Sequence, residues 1–249
     1  MNRSFAILGV LCCFLVLPVA ADQQWRSSSE QATLLELYTS EGCSSCPPAD
    51  RWLSGLLDDP ALWHSLFPVA LHVDYWNDLG WQDRFARSEF STRQRNYRRE
   101  GRSNGVYTPG VQAAGWEWRG WRKGATVPTT GRETGNLHLI LDGSEFKAEF
   151  EPVDEANPSR AELHVALLGV GVNSRVKAGE NRGKLLQHDF VVLGYQVFGG
   201  DDLNWSGSLP AFSGAVEPQR WALVAWVSPS DRQDPLQVVG GWMTPEPAL

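Results

Sequence analysis

Leu34-Leu35-Glu36-Leu37-Tyr38-Thr39-Ser40-Glu41-Gly42-Cys43-Ser44-Ser45-Cys46-Pro47-Pro48 is the stretch on which the fold turns. Thr33 to Thr39 reads as a short apolar strand, followed by a polar turn and two cysteines at the mouth of a helix. Two thiols separated by two residues on a first helical turn lie close enough to form a disulfide. A helix N-terminus supplies unpaired N–H groups and partial positive charge, which favour a thiolate at Cys43. Glu36 sits mid-strand, either on a solvated face or buried beneath the cysteines. If buried, it would pass protons to and from Cys46. The enzymatic reading requires both sulfurs side by side at an accessible helix mouth.

Downstream, Pro47 and Pro48 suit a first helical turn, where a missing N–H costs little. Trp52, Leu53, Leu56 and Leu57 then recur at helical spacing. Val69 to Tyr75, containing His72 and Asp74, reads as a second strand. Strand, helix, strand makes these two strands parallel. An aromatic loop, Tyr75 to Trp81, precedes a helix predicted over 88–99. The seven arginines Arg84, Arg87, Arg93, Arg95, Arg98, Arg99 and Arg102 lie here in an otherwise acidic chain. They make either a solvated helix face or a dock for an acidic partner. Thr108-Pro109 fits the start of a strand, with a cis bond as one option. Trp116 and Trp118 alternate and should share a strand face.

Upstream, Arg3, the apolar run Phe5 to Leu17 and the small residues Val19-Ala20-Ala21 read as an export signal. The run is short for a membrane span, which needs about 20 apolar residues. Cleavage removes Cys12 and Cys13 and leaves Cys43 and Cys46. It also takes Arg3, so the net charge of −7 becomes about −8, a poor match for nucleic acid. A bridge closing so short a loop restricts the unfolded chain by only about 2 kcal/mol. The pair is therefore better explained by chemistry than by stapling.

The expected organisation is a signal at 1–21, a flexible lead-in at 22–32, an α/β unit at 33–123, a Gly-, Thr- and Pro-rich linker at 124–136, and a separate all-β, sandwich-like unit at 137–249. The last rests on β-type runs punctuated by Gly, Pro, Asn and Asp.

The order of elements resembles the thioredoxin fold. It is similar, more closely, to exported bacterial thioredoxin-like proteins grouped as a domain-of-unknown-function family. The resemblance rests on Glu36 to Asp50, His72-Val73-Asp74-Tyr75-Trp76, Leu79-Gly80-Trp81, Thr92-Arg93-Gln94 and Val106-Tyr107-Thr108-Pro109. The Gly179-Glu180-Asn181-Arg182-Gly183 stretch also looks like that family's C-terminal region. The resemblance implies Cys43 as nucleophile, Cys46 as resolving thiol, and Pro109 as a cis-proline facing them and presenting backbone to a bound peptide. Glu36 would stand near the buried carboxylate of the fold, and Thr108, Trp76 and Trp81 would contact substrate. Asn77 replaces an expected acid, Gly110 replaces a longer polar residue, and no closing amphipathic helix precedes Leu137.

These observations point to an exported, periplasmic or secreted thiol–disulfide oxidoreductase acting on protein or small-molecule thiols, without a cofactor, nucleic acid or a membrane span. The alternatives are a soft-metal site, such as copper on Cys43, Cys46 and His72, and a non-catalytic binding scaffold.

Overall fold

The computed structural model describes residues 22–153, 158, 160–200, 202–212 and 216–244; the export signal read at 1–21 lies outside them. The chain runs through β1 (Gln23–Arg26), β2 (Thr33–Thr39), α1 (Pro47–Ser54), β3 (Leu66–His72), α2 (Ser88–Arg99), β4 (Gly110–Ala113) and β5 (Trp116–Glu117). It continues through β6 (Gly135–Asp142), β7 (Glu145–Pro152), β8 (Ala161–Val170), β9 (Val172–Arg175) and β10 (Leu185–His188). The last strands are β11 (Val191–Gly200), β12 (Asn204–Ser208), β13 (Arg220–Pro229) and β14 (Gln237–Trp242).

β2 and β3 are parallel, Thr33 to Thr39 standing opposite Leu66 to His72, with α1 in the crossover. β3 begins earlier than its sequence pattern indicates and includes Pro68. The Ala70 N–H bonds Phe190 O at 2.8 Å, and β11 meets β3 only at Ala70. Pro68, two residues earlier on the same edge, faces no ladder, so its missing donor costs no strand bond.

The expected α/β thioredoxin-like unit followed by a separate β sandwich is overturned. The described residues are 44% strand and 14% helical and contain two α-helices. Strands from both halves of the chain share one eight-stranded sheet in the order β14-β13-β8-β11-β3-β2-β4-β5. The reason lies at the β3 edge. An open strand edge leaves a row of unpaired N–H and C=O groups, and β11 pairs with it in parallel. The β-rich half thereby completes the first half's sheet. A four-stranded sheet, β1-β6-β7-β12, and the hairpin β9–β10 are added to it. The lead-in expected to be flexible contributes β1, which pairs antiparallel with β6.

Period-2 alternation sorts the core. Leu163, Val165 and Leu167 of β8 and Leu223, Ala225 and Val227 of β13 pack with Leu137, Leu139, Phe146 and Phe150 of the smaller sheet. Ala166, Leu168, Val224 and Trp226, on the opposite face, join a core with β2, β3 and both helices. Trp116 does not share a packed face with Trp118. It is 56% exposed beneath the Arg102 guanidinium, whereas Trp118 lies beyond β5 against Trp52. Among the described residues no helix is long and apolar enough to cross a membrane.

Candidate functional site

Cys43 and Cys46 are disulfide-bonded, with Cα atoms 5.5 Å apart. Cys46 is the N-cap of α1. Pro47 and Pro48 carry no N–H, and the Ala49 and Asp50 N–H groups donate to Cys46 O at 2.8 and 3.1 Å. The donors expected to sit free beside the cysteines are therefore absent or already used.

The expectation of an accessible outer sulfur also fails. Cys43 and Cys46 each have 0% exposure, although Ser44 and Ser45 between them are exposed. The segment joining β9 to β10 is fastened to the backbone of the cysteine turn, and Ser45 Oγ stands 3.4 Å from Cys43 Sγ. Buried Asn181 donates through Nδ2 to Glu41 O (2.8 Å) and Cys43 O (2.9 Å), and its Oδ1 accepts from Lys184 Nζ at 2.8 Å. Glu180 Oε2 accepts the Ser44 N–H at 3.1 Å. Gly179, at φ +70°, abuts Trp81; a Cβ there would stand 3.1 Å from the Trp81 Cβ.

Glu36 is buried, as one alternative for it required, but not under the cysteines. Its Oε1 meets Arg93 Nε at 2.5 Å and its Oε2 accepts from Tyr97 OH at 2.6 Å. Tyr38 OH also donates to Oε1 at 3.1 Å. Arg93 is further held by Gln233 Oε1 and O, both at 3.0 Å. The cause is strand parity. Thr39 reaches Asp50 of α1, so Glu36, three residues earlier, points to the other face and to α2. Burial pushes the Tyr38 and Tyr97 hydroxyls well above their usual range.

The polar groups on the cysteine side are different ones. Asp50 accepts from Thr39 Oγ1 at 2.7 Å. His72 Nδ1 stands 2.6 Å from Asp83 Oδ2, while its Nε2 is buried without a partner. The His188 ring crosses His72 edge-on at 5.0 Å, and His188 Nε2 stands 3.1 Å from Glu41 Oε1. Asp83 also accepts the Glu41 and Phe85 N–H groups at 2.8 and 2.9 Å.

Burial raises the Asp50 carboxyl above the ordinary range. Burial opposes the charged forms of His72 and Asp83 too, but their mutual attraction wins. His72 is raised and Asp83 lowered. Glu41 is lowered against the same burial by its bond with His188. Among the described residues no three His, Cys, Asp or Glu side chains are grouped to hold a metal ion.

Pro109 follows a cis Thr108–Pro109 bond and leads into β4, where Gly110 pairs with Tyr38. Trp76 Nε1 donates to Thr108 Oγ1 at 2.8 Å, and a Cβ on Gly42 would stand 3.1 Å from the Trp76 Cβ. Trp76 thus ties the Thr108–Pro109 turn to the cysteine turn. Trp81 Nε1 donates to Glu41 Oε2 at 2.7 Å. Sequence reasoning missed Asp50, Glu41, Asp83, His188 and Asn181. Asp50 carried a local signal in its four-residue spacing from Cys46, and Asn181 lay in the Gly179–Gly183 stretch without a role assigned to it.

A family model described as "Protein of unknown function (DUF1223)" matches residues 34–228. A crystal structure of a protein from Agrobacterium tumefaciens is similar at 25% identity and a TM-score of 0.58, covering 89% of this chain and 99% of that one. HBP35 of Porphyromonas gingivalis is similar in fold at 12% identity and a TM-score of 0.53, covering 89% of this chain and 78% of that one. No curated protein matches. On the family match, which spans both cysteines and most of the large sheet, the chain belongs to the DUF1223 family of proteins of unknown function.

Proposed function

We propose that Cys43 and Cys46 form a thiol–disulfide exchange couple reached only when the segment joining β9 to β10 is displaced. The supporting observation is the company the disulfide keeps. Buried Glu41, two residues before Cys43, is bonded to His188 and through its N–H to Asp83, which pairs with His72, and Asp50 follows Cys46 by four residues on α1. Burying ionised groups costs several kcal/mol each before pairing. A local staple gains nothing from such groups, whereas proton-coupled chemistry does.

In the exchange, a substrate thiolate attacks Cys43 Sγ, the Cys43–Cys46 bond breaks, and Cys46 leaves as a thiolate. A second substrate thiolate then attacks the mixed disulfide and releases oxidised substrate, leaving a dithiol. The reverse sequence reduces a substrate disulfide and restores the Cys43–Cys46 bridge. Protein or small-molecule thiols are the partners, and the compartment is the exported one read from residues 1–21.

Two measurements test the proposal. Equilibration of the full chain in glutathione buffers of graded potential should show one two-electron transition. Cys46→Ser should accumulate mixed disulfides through Cys43, and Cys43→Ser should accumulate none. A chain that stays oxidised at every potential while folded removes the proposal. The sealed sulfurs favour a second reading, a binding scaffold with an inert local bridge. On that reading Cys43→Ser/Cys46→Ser leaves the biological phenotype intact.

A further inference from the structure

We propose that Asp50 is the proton relay for Cys46, linking that thiol to solvent through the cleft between α1 and β10. The inference deepens the exchange function above and rests on it. Cys46 has helical backbone angles (φ −77°, ψ −37°), and the Asp50 N–H bonds its carbonyl at 3.1 Å. The two residues are therefore a true four-residue pair on one helix face, a spacing that sets Cβ atoms about 5–6 Å apart. Thr39 Oγ1 holds Asp50 Oδ1 at 2.7 Å against the sheet. The outer side of Asp50 lines a cleft of about 360 Å³, bounded by Pro47, Arg51, Ser54, Leu185 and Leu186. Asp50 is half-buried at this cleft, whereas both cysteines are fully buried.

The ionisable groups facing Asp50 come from three other elements: His72 of β3, His188 of β10 and Asp83 of the loop before α2. Arg51 stands at the cleft. The histidines favour the carboxylate, while burial and Asp83 oppose it. A carboxyl held above its ordinary range both donates and accepts a proton nearer neutral pH. When the disulfide is reduced, the departing Cys46 thiolate takes the Asp50 proton, and the cleft resupplies it. When a mixed disulfide on Cys43 is resolved, the Asp50 carboxylate takes the Cys46 proton. The Cys46 sulfur then attacks Cys43, and the substrate leaves as a thiolate.

The test follows reduced full-length protein reacting with oxidised glutathione from pH 5 to 9, resolving attack by Cys43 from release of glutathione by Cys46. In Asp50→Asn, release should slow about 100-fold near neutrality. The deficit should shrink above roughly pH 8.5, where the thiol ionises unaided. The attack step should be unchanged. Asp50→Glu should restore part of the release rate. Thr39→Val, which keeps the carboxyl but removes its donor, should move the release midpoint to higher pH. Superimposable release profiles for wild type, Asp50→Asn and Thr39→Val overturn the relay while leaving the exchange function standing. A wild type that reacts with neither thiols nor oxidised glutathione overturns both.

Discussion

Asn181→Ala should unlock the disulfide without unfolding the protein. The Asn181 side chain supplies two hydrogen bonds that hold the covering segment to the cysteine turn, at Glu41 O and Cys43 O. A neutral hydrogen bond contributes about 0.5–1.5 kcal/mol net, and an acceptor left buried without a donor adds to the loss. The bond from Lys184 Nζ is discounted because Lys184 is exposed. The closed form should therefore lose about 2–3 kcal/mol, which raises the open population roughly 30- to 150-fold, at tenfold per 1.4 kcal/mol. The assay is the rate at which dilute dithiothreitol reduces the native disulfide at pH 7, read by alkylation of the freed thiols. Urea unfolding of the oxidised protein runs in parallel. Local opening predicts that reduction accelerates by that factor and exceeds any rise in the global unfolding constant. Glu180→Ala, which loses one exposed contact, should change the rate little. If Asn181→Ala is reduced no faster than wild type, or only in step with its global unfolding, the covering segment does not gate the site.

Arg93→Met should destabilise the fold by about 3–5 kcal/mol, because Glu36 remains buried without its cation. Urea midpoints measure this, and dithiothreitol reactivity measured well below the midpoint should hardly move. The His72–Asp83 pair gives stability two pH-dependent arms. Asp83, lowered in the fold, contributes stability above its ordinary range near 3.9 that is lost as pH falls through its lower folded value. His72, raised in the fold, contributes stability below about 6.5 that is lost as pH rises through its higher folded value. Asp83→Asn should flatten both arms in a series of urea melts from pH 3 to 9, and an unchanged profile would sink this account. Trp81→Phe removes the Nε1 donor to Glu41 and should cost about 1 kcal/mol. It should also speed reduction of the disulfide, because Trp81 backs Gly179 of the cover.

Local spacing was enough to place β2, to start α1 at Pro47 and to outline α2, because these depend on neighbours within a turn or two. The Cys-x-x-Cys spacing also placed the two sulfurs within bonding distance, although not on the helix as expected: α1 begins at Pro47, and the turn before it, closed by the Cys46 N–H to Cys43 O at 3.2 Å, brings them together. Two further points were legible but not used. Strand parity between Glu36 and Thr39 puts Glu36 away from the cysteine helix, and four-residue spacing puts Asp50 on the helix face of Cys46. The rest depended on long-range pairing. β11 joins β3 at a single register point, Val191 opposite Ala70. That junction brings His188 to Glu41 across 147 residues and Asn181 to Cys43 across 138. A periodicity of two or 3.6 residues says which face of a strand or helix is apolar. It does not say which distant strand will satisfy an open edge. The sequence by itself therefore determined the disulfide and the elements flanking it, while the tertiary structure decided that the disulfide is covered and which buried groups surround it.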